Sequence, residues 1–217
     1  MSENLFTCAK CDAKACQSID KAYPKNCKST QAQENDLFTA ALKEYETNAQ
    51  NLAIAKAAAS IEAEFYCKAT RVEEIVRFAL KMNYKKIGIA TCVGLIRETR
   101  LFSNVLEAAG LTACGVACKV GSVDKPLIGV PEEGKIKPGC FEAMCNPILQ
   151  AMLLNSEKTD LNVIVGLCVG HDSLFIKYSE APVTNLIVKD RVLVHNPVGA
   201  LYAQETYYKK LLELPYV

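Results

Sequence analysis

LNVIVGLCVGHD, residues 161–172, decides how the rest of the chain is read. From Leu161 to Val165 the run is dominated by aliphatic and β-branched side chains, so it reads as a strand covered on both faces, as strands of parallel sheets are. Gly166 ends it, and Cys168, His171 and Asp172 then stand where the strand gives way to a loop. A thiol and an imidazole at that place need a reason.

Working outward, the same alternation recurs. A strand is expected over residues 86–91, a helix over 97–109, a strand over 111–120, a helix over 141–154 and the strand over 161–167, with an irregular Gly/Pro stretch at 121–139. Strand, helix, strand in this rhythm gives a parallel sheet covered by helices. After it, residues 184–188 and 192–195 read as a hairpin or strand pair at the sheet edge, and residues 201–212 as a last helix. Before it, Thr70 with Glu73 three residues on forms a capping-box signature for a helix to Lys81, with Asn83 as a stop. A longer helical run extends from Asp36 to near Cys67. The fold class is therefore α/β, three-layered, with a four- or five-stranded, mostly parallel sheet of flavodoxin or Rossmann-like type. A small cysteine-rich module, residues 1–35, precedes an α/β domain, residues 36–217, whose lead-in at 36–83 is helical.

Charge announces no partner: 25 Lys and Arg nearly cancel 24 Asp and Glu in 217 residues. No field of one sign recruits nucleic acid or an anionic membrane. No basic start with an apolar h-region opens the sequence, and no stretch approaches the roughly 20 apolar residues that span a bilayer. A cytoplasmic protein is the expectation. Against that background 11 cysteines are unusual, because a reducing cytosol disfavours structural disulfides, so metal binding or thiol chemistry is the leading explanation.

Four of the cysteines, Cys8, Cys11, Cys16 and Cys27, fall in the N-terminal module, which has too few large apolar residues to order itself by burial. CxxC is a natural chelating turn, and four thiolates close a zinc site or hold a [4Fe–4S] cluster. The spacing matches neither the paired CxxC of zinc ribbons nor the ferredoxin order, and loose thiols are the bland alternative. In the α/β domain the crevice of a parallel sheet lies beyond the carboxyl ends of its strands. Cys92 follows the first strand, Cys118 ends the second, Cys168 follows the third, and Cys145 opens the helix before the third. These four and His171 are expected to share one thiol-rich pocket, where helix N-termini favour thiolate.

The segments ATCVG, CKVGSVDK, FEAMCNPI, GLCVGHDSLFIKYSEAPVT and VKDRVLVHNP, in that order behind an N-terminal cysteine cluster, resemble the DUF1847 family. The resemblance spans nearly the whole chain and implies a cysteine-rich, metal-binding protein without supplying a mechanism. It carries over Cys8, Cys11, Cys16 and Cys27 in the cluster, and Cys92, Cys118, Cys145, Cys168, His171 and His195 in the body. Cys67, Cys114 and Cys140 fall on none of these motif positions.

Three functions of different class follow. The first is a metal protein, iron–sulfur or zinc, with an N-terminal four-Cys site and a second Cys/His site at the sheet edge, possessing redox capacity and meeting a small molecule or redox partner there. The second is an enzyme with Cys168 or Cys92 as nucleophile and His171 as base. The third is a metal sensor or store without turnover. The bland reading of Cys168 and His171 is a buried thiol beside a capping turn in which Asp172 or Ser173 accepts from helix amides. His195, before Asn-Pro, is more naturally a turn residue, and enters only as a group that could orient a ligand. Cys114, four residues before Cys118 in one strand, shares its face and can be simple core. CVGLIR, residues 92–97, is one residue short of the cysteine-phosphatase loop, and neither GxGxxG nor GxxxxGK[ST] occurs. The charged stretch between Gly121 and Gly139, with Lys119 beside it, reads as a lid or as solvated surface.

Overall fold

The computed structural model describes residues 8–213. The chain divides into two compact units, Met1–Ala63 and Glu64–Val217. The division falls inside the helical lead-in, near the end of its longest helix.

In the first unit, short 3-10 turns at Cys8–Lys10 and Ala15–Gln17 lead into helices α1 (Lys28–Glu34), α2 (Leu37–Thr47) and α3 (Ala49–Phe65). The single helical run expected from Asp36 is broken at Asn48, whose backbone is extended (φ −109°, ψ 103°). Its side-chain Oδ1 accepts from the N–H groups of Gln50 and Asn51 at 3.0 and 3.2 Å. An asparagine that can cap a new helix thereby ends the old one.

The second unit starts with α4 (Arg71–Lys81). Its capping box forms as the sequence predicts: Thr70 Oγ1 accepts from Glu73 N–H at 3.4 Å and Glu73 Oε2 accepts from Thr70 N–H at 2.8 Å. Then come β1 (Lys86–Thr91), α5 (Ile96–Ala108), β2 (Thr112–Ala117), α6 (Pro147–Ser156), β3 (Leu161–Val165), α7 (His171–Tyr178), β4 (Val183–Ile187) and α8 (Val198–Tyr202). The four strands are parallel in the order β2-β1-β3-β4, with Thr91 level with Ala117 on one side and Val165 on the other. Winding therefore reverses between β1 and β3, and the crevice rule for open parallel sheets points to the ends of those strands.

Alternation along the strands splits the core into two. Ile87, Ile89, Leu161, Val163 and Val165 meet Ile75 and Ala79 of α4 and Phe102 and Leu106 of α5. Ala90 and Ile164 meet Ala151 and Leu154 of α6 and Phe175 of α7, and Cys92, Cys118 and Leu167 complete this second cluster. Helices on both faces make the three layers, and each fully buried large aliphatic side chain contributes about 1.5–3 kcal/mol.

Three expectations change. Residues 192–195 form a turn, not a strand: Asp190 Oδ1 accepts from Val192 and Leu193 N–H at 2.9 and 2.8 Å, and Val194 and His195 take positive φ. An aspartate that binds its own following amides stops an edge strand. The helix expected over 201–212 is confined to Val198–Tyr202, followed by turns and a 3-10 segment at Lys209–Leu212. The helix expected over 141–154 starts only at Pro147, because Asn146 caps it through Leu149 N–H at 3.0 Å and proline suits the first helical position. Residues 141–146 instead bond to the stretch before them, as in Met144 N–H to Val123 O at 2.7 Å.

Candidate functional site

The site is built at the reversal point. Cys92 N–H donates to Val165 O at 3.1 Å and Cys118 N–H to Thr91 O at 2.8 Å, so the ladder runs one residue past the strands and sets the two cysteines side by side. Asn146 N–H donates to Cys118 O at 2.8 Å, which brings Cys145 to the other side of Cys118. Gln150 of α6 keys that helix to the same strand ends, its Nε2 donating to Thr91 O at 3.2 Å and Val116 O at 2.6 Å. The segment before Cys145 is held by Lys119, whose ammonium donates to Ala143 O. Ion pairs brace it: Lys125 with Glu142, and Lys135, almost wholly buried, with Asp124 at 3.2 Å and Glu132 at 2.7 Å. The long connection is thus largely exposed but pinned, a clamped flap.

Cys118 bears electrostatically on both Cys92 and Cys145, giving a row Cys92, Cys118, Cys145. Cys92 is lowered to about 4 by Cys118 first, against the opposing effect of burial, and further by Gly94 N–H and the Lys189 ammonium, whose Nζ is 3.2 Å from the sulfur. Cys145 is lowered to about 5, again chiefly by Cys118 against burial, with Lys119 and His171 adding positive charge. Cys118 is pushed above the usual thiol range by Cys145 and Cys92 and by burial, although it also accepts from Val93 N–H at 3.3 Å. The two outer sulfurs are thus drawn toward thiolate and the central one toward thiol.

Cys168, half-buried, accepts from Arg191 Nη2 at 3.0 Å. Cys168 holds the guanidinium firmly protonated, by its hydrogen bond and then its charge, with smaller contributions from Cys92 and Cys145. His171 opens α7, where its N–H and that of Asp172 donate to Cys168 O at 2.9 and 3.1 Å, while its charge bears on Cys145. His195 is a clasp: its Nδ1 accepts from Asp190 N–H at 3.1 Å and its own N–H donates to Asp190 O at 2.9 Å. That turn presents Lys189 and Arg191.

The N-terminal cysteines are placed differently. Cys8 and Cys16 are exposed, Cys11 is half-buried and Cys27 is buried. The CxxC closes as a turn through Cys11 N–H to Cys8 O at 3.2 Å, and Cys27 precedes α1, where Ser29 N–H draws its thiol below the usual range. Among the described residues no three His, Cys, Asp or Glu side chains are disposed to hold one metal ion. Cys67 and Cys140 are exposed. Cys114 packs on the same apolar cluster as Cys118, with its thiol pushed up by burial and then by Glu157.

Sequence reasoning gathered the cysteines but missed Lys189 and Arg191 as their partners. The signal was present as two cations just beyond a strand, flanking an aspartate, but reading residues 192–195 as a strand hid the turn that aims them.

These features define a class: a doubly wound parallel α/β unit with a charge-compensated row of cysteine sulfurs at its winding reversal. Over residues 27–186 the chain matches the family model described as "Protein of unknown function (DUF1847)", and it belongs to that family. It is 47% identical over 206 residues to "Uncharacterized protein MJ0455" of Methanocaldococcus jannaschii, covering 95% of this chain and 98% of the relative. The family match takes in Cys27, Cys92, Cys118, Cys145, Cys168 and His171 and ends before Lys189. Among the described residues no helix is long and apolar enough to cross a membrane.

Proposed function

We propose that the protein binds a soft metal through cysteine sulfurs at the carboxyl ends of its strands, as an iron–sulfur cluster or as zinc. The observation that carries this reading is the gathering of Cys92, Cys118 and Cys145 at the strand ends, with Lys189 on Cys92 and Arg191 on Cys168. Thiolate, not thiol, is the metal-binding form, and drawing Cys92 and Cys145 toward it lowers the proton cost of loading. Cys92, Cys118, Cys145 and Cys168 are the sulfur donors and His171 the available nitrogen. Among the described residues no three of these side chains are already disposed around one point, so loading draws the sulfurs together and displaces the Cys118 proton. Lys119, Lys189 and Arg191 offset the negative charge that four thiolates bring to any metal. An iron–sulfur cluster supplies one-electron transfer, and zinc supplies Lewis acidity. Cys8, Cys11, Cys16 and Cys27 form the second, N-terminal donor set of this reading.

A second reading is favoured by one contact. Lys189 lies on Cys92, whereas Cys168 is held by Arg191, so a cysteine nucleophile here is Cys92 with a lysine partner, in place of Cys168 with His171. A sensor or store without turnover uses the metal site alone.

The test is anaerobic purification of wild type and of Cys118→Ser and Cys168→Ser variants, with metal and acid-labile sulfide analysis beside the visible spectrum. Iron with sulfide, lost in both variants, supports a cluster at the strand ends. Zinc lost in both supports a zinc site there. Metal unchanged by either substitution removes the strand-end site and leaves the N-terminal set as the metal centre.

A further inference from the structure

We propose that the outer edge of β2 is an interface between two copies of this chain: β2 of each copy pairs antiparallel with β2 of the other across a two-fold axis at Gly115, and the two sheets run on as one. This pairing is built from backbone groups alone and stands whether or not the strand ends hold a metal.

The direction of each ladder bond decides which groups are left over. Thr112 N–H donates to Lys85 O at 2.8 Å and Cys118 N–H to Thr91 O at 2.8 Å, so along β2 the even-numbered residues turn their N–H and C=O toward β1. Ala113, Gly115 and Ala117 therefore turn theirs away from the sheet, at a strand that ends the order β2-β1-β3-β4. Ala117 O bends back to accept from Val120 N–H at 3.1 Å. The other outward groups of these three residues have no partner among the described residues, and Gly115 is exposed. Such a row is a template for another strand, which proteins that keep an edge single block with charge, proline or a bulge. β4, at the opposite edge, is blocked in this way. Arg71 Nε donates to Asn185 O at 3.2 Å and its Nη2 to Thr184 Oγ1 at 2.7 Å, and the register slips between Ile164 and Val165. β2, with the sequence TACGVA and an unbroken register, carries no charge, no proline and no bulge.

A second copy is the occupant that this edge fits. In an antiparallel pair centred on Gly115, each Gly115 exchanges both of its bonds with the other, and each Ala117 N–H meets the opposite Ala113 O. The layers above and below then meet as well. α5 covers β1 and β2 on one face and α6 covers them on the other. With strands about 4.8 Å apart, a helix centred over that pair comes to about 9.6 Å from its counterpart, and helices pack at about 8–10 Å. The area suffices. β2 has 6 residues and is about 20 Å long; three layers of about 10 Å each give a flat section of roughly 600 Å² per copy. Side-chain relief raises this toward the ~800 Å² per partner of a stable interface. A formal net charge of +1 opposes association little. Two four-stranded sheets thereby become one of eight strands, and the two-fold sends their cysteine-rich strand ends in opposite directions.

The experiment uses the full chain, kept reduced so that no disulfide joins copies, in sedimentation velocity from micromolar concentrations upward and in hydrogen exchange resolved to single amides. Wild type is expected to sediment as a dimer. The amides of Ala113, Gly115 and Ala117 are expected to exchange about 10-fold or more slowly than in the dissociated chain, with protection that rises with protein concentration. Gly115→Pro removes an outward N–H at a position where an edge strand tolerates proline; it is expected to sediment as a single chain while the β1 amides stay protected. Gly115→Ala keeps the N–H, and its Cβ meets nothing closer than Thr99 Cγ2 at 3.8 Å, so it is expected to remain a dimer. Wild type that stays a single chain overturns the proposal, whether its outward amides are free or are shielded by another part of the chain. So does a dimer in which those amides exchange freely, because another face then holds it together. The wild-type exchange pattern decides even if Gly115→Pro does not fold, and a Gly115→Pro chain that folds and still dimerises also overturns the pairing.

Discussion

Gly88 sits in the middle of β1, and replacing it by alanine tests how the sheet that carries the thiols is packed. A Cβ built there lies 2.0 Å from Asn162 Oδ1 and 3.0 Å from Leu154 Cδ1. Asn162 is fully buried in β3; its Oδ1 accepts from Thr159 Oγ1 at 2.8 Å and its Nδ2 donates to Ser179 Oγ at 2.7 Å. The methyl group cannot enter unless Asn162 turns away and gives up these bonds. Overpacking costs about 1–3 kcal/mol, and stranding a buried amide about 1–3 kcal/mol more, so Gly88→Ala should lose about 2–6 kcal/mol in all. Against the ~5–15 kcal/mol of an ordinary domain that is a large fraction. The assay is urea unfolding followed by circular dichroism, with hydrogen exchange at the β1 and β3 amides to assign the loss to the sheet. The double variant supplies the decisive number. With Asn162→Ala the obstacle is gone, so Gly88→Ala should cost little further, and the coupling should reach about 2 kcal/mol. Additive losses, or a single-variant cost under about 1 kcal/mol, would refute this account of the β1–β3 contact.

Other outcomes follow from the site and its flap. Lys189→Met removes the ammonium from Cys92, so the pH at which metal-free protein becomes reactive to iodoacetamide should move up, though not to the ordinary thiol range, since Cys118 and Gly94 still lower it; an unmoved profile would refute the role of Lys189. The carboxyls of Asp124, Glu132 and Glu142 are lowered, by Glu142 N–H, Lys135 and Lys125 respectively in the first place. Their stabilisation is complete above the ordinary carboxylate range and is lost as pH falls through the lower folded values, so flap amides should gain hydrogen exchange in acid before those of β1 do. Cys114→Ala should leave metal content unchanged and cost about 1 kcal/mol, because that thiol packs against the cluster that holds Cys92 and Cys118.

The doubly wound core was legible because its signals are local. Thr70 and Glu73 announce their helix, and the runs at β1 and β3 lack polar alternation because both faces are covered. Placing Cys92, Cys118 and Cys168 after strand ends followed from strand direction alone, whereas Cys145 lies in no strand. The cations that face those sulfurs were not legible, since Lys189 and Arg191 reach them only through a turn fixed by Asp190 and His195. Nor was the order of the row: that Cys118 stands between the others depends on Asn146 bonding back to its carbonyl, a contact between segments far apart in sequence. The break at Asn48 shows the opposite limit, where one side chain reroutes a run whose propensity is helical throughout.

The strand order also sets a timetable. β1 receives β2 as its first neighbour soon after both are synthesised, but its other neighbour, β3, arrives only after the flap and α6 have been made. Cys168 comes later still, and Lys189 and Arg191 follow β4. A growing chain therefore carries bare thiols for most of its synthesis and acquires their compensating charges among its last segments. A chain truncated after β3 would keep the sulfurs of Cys92, Cys118 and Cys145 with Lys119 beside them, while lacking Lys189 and Arg191.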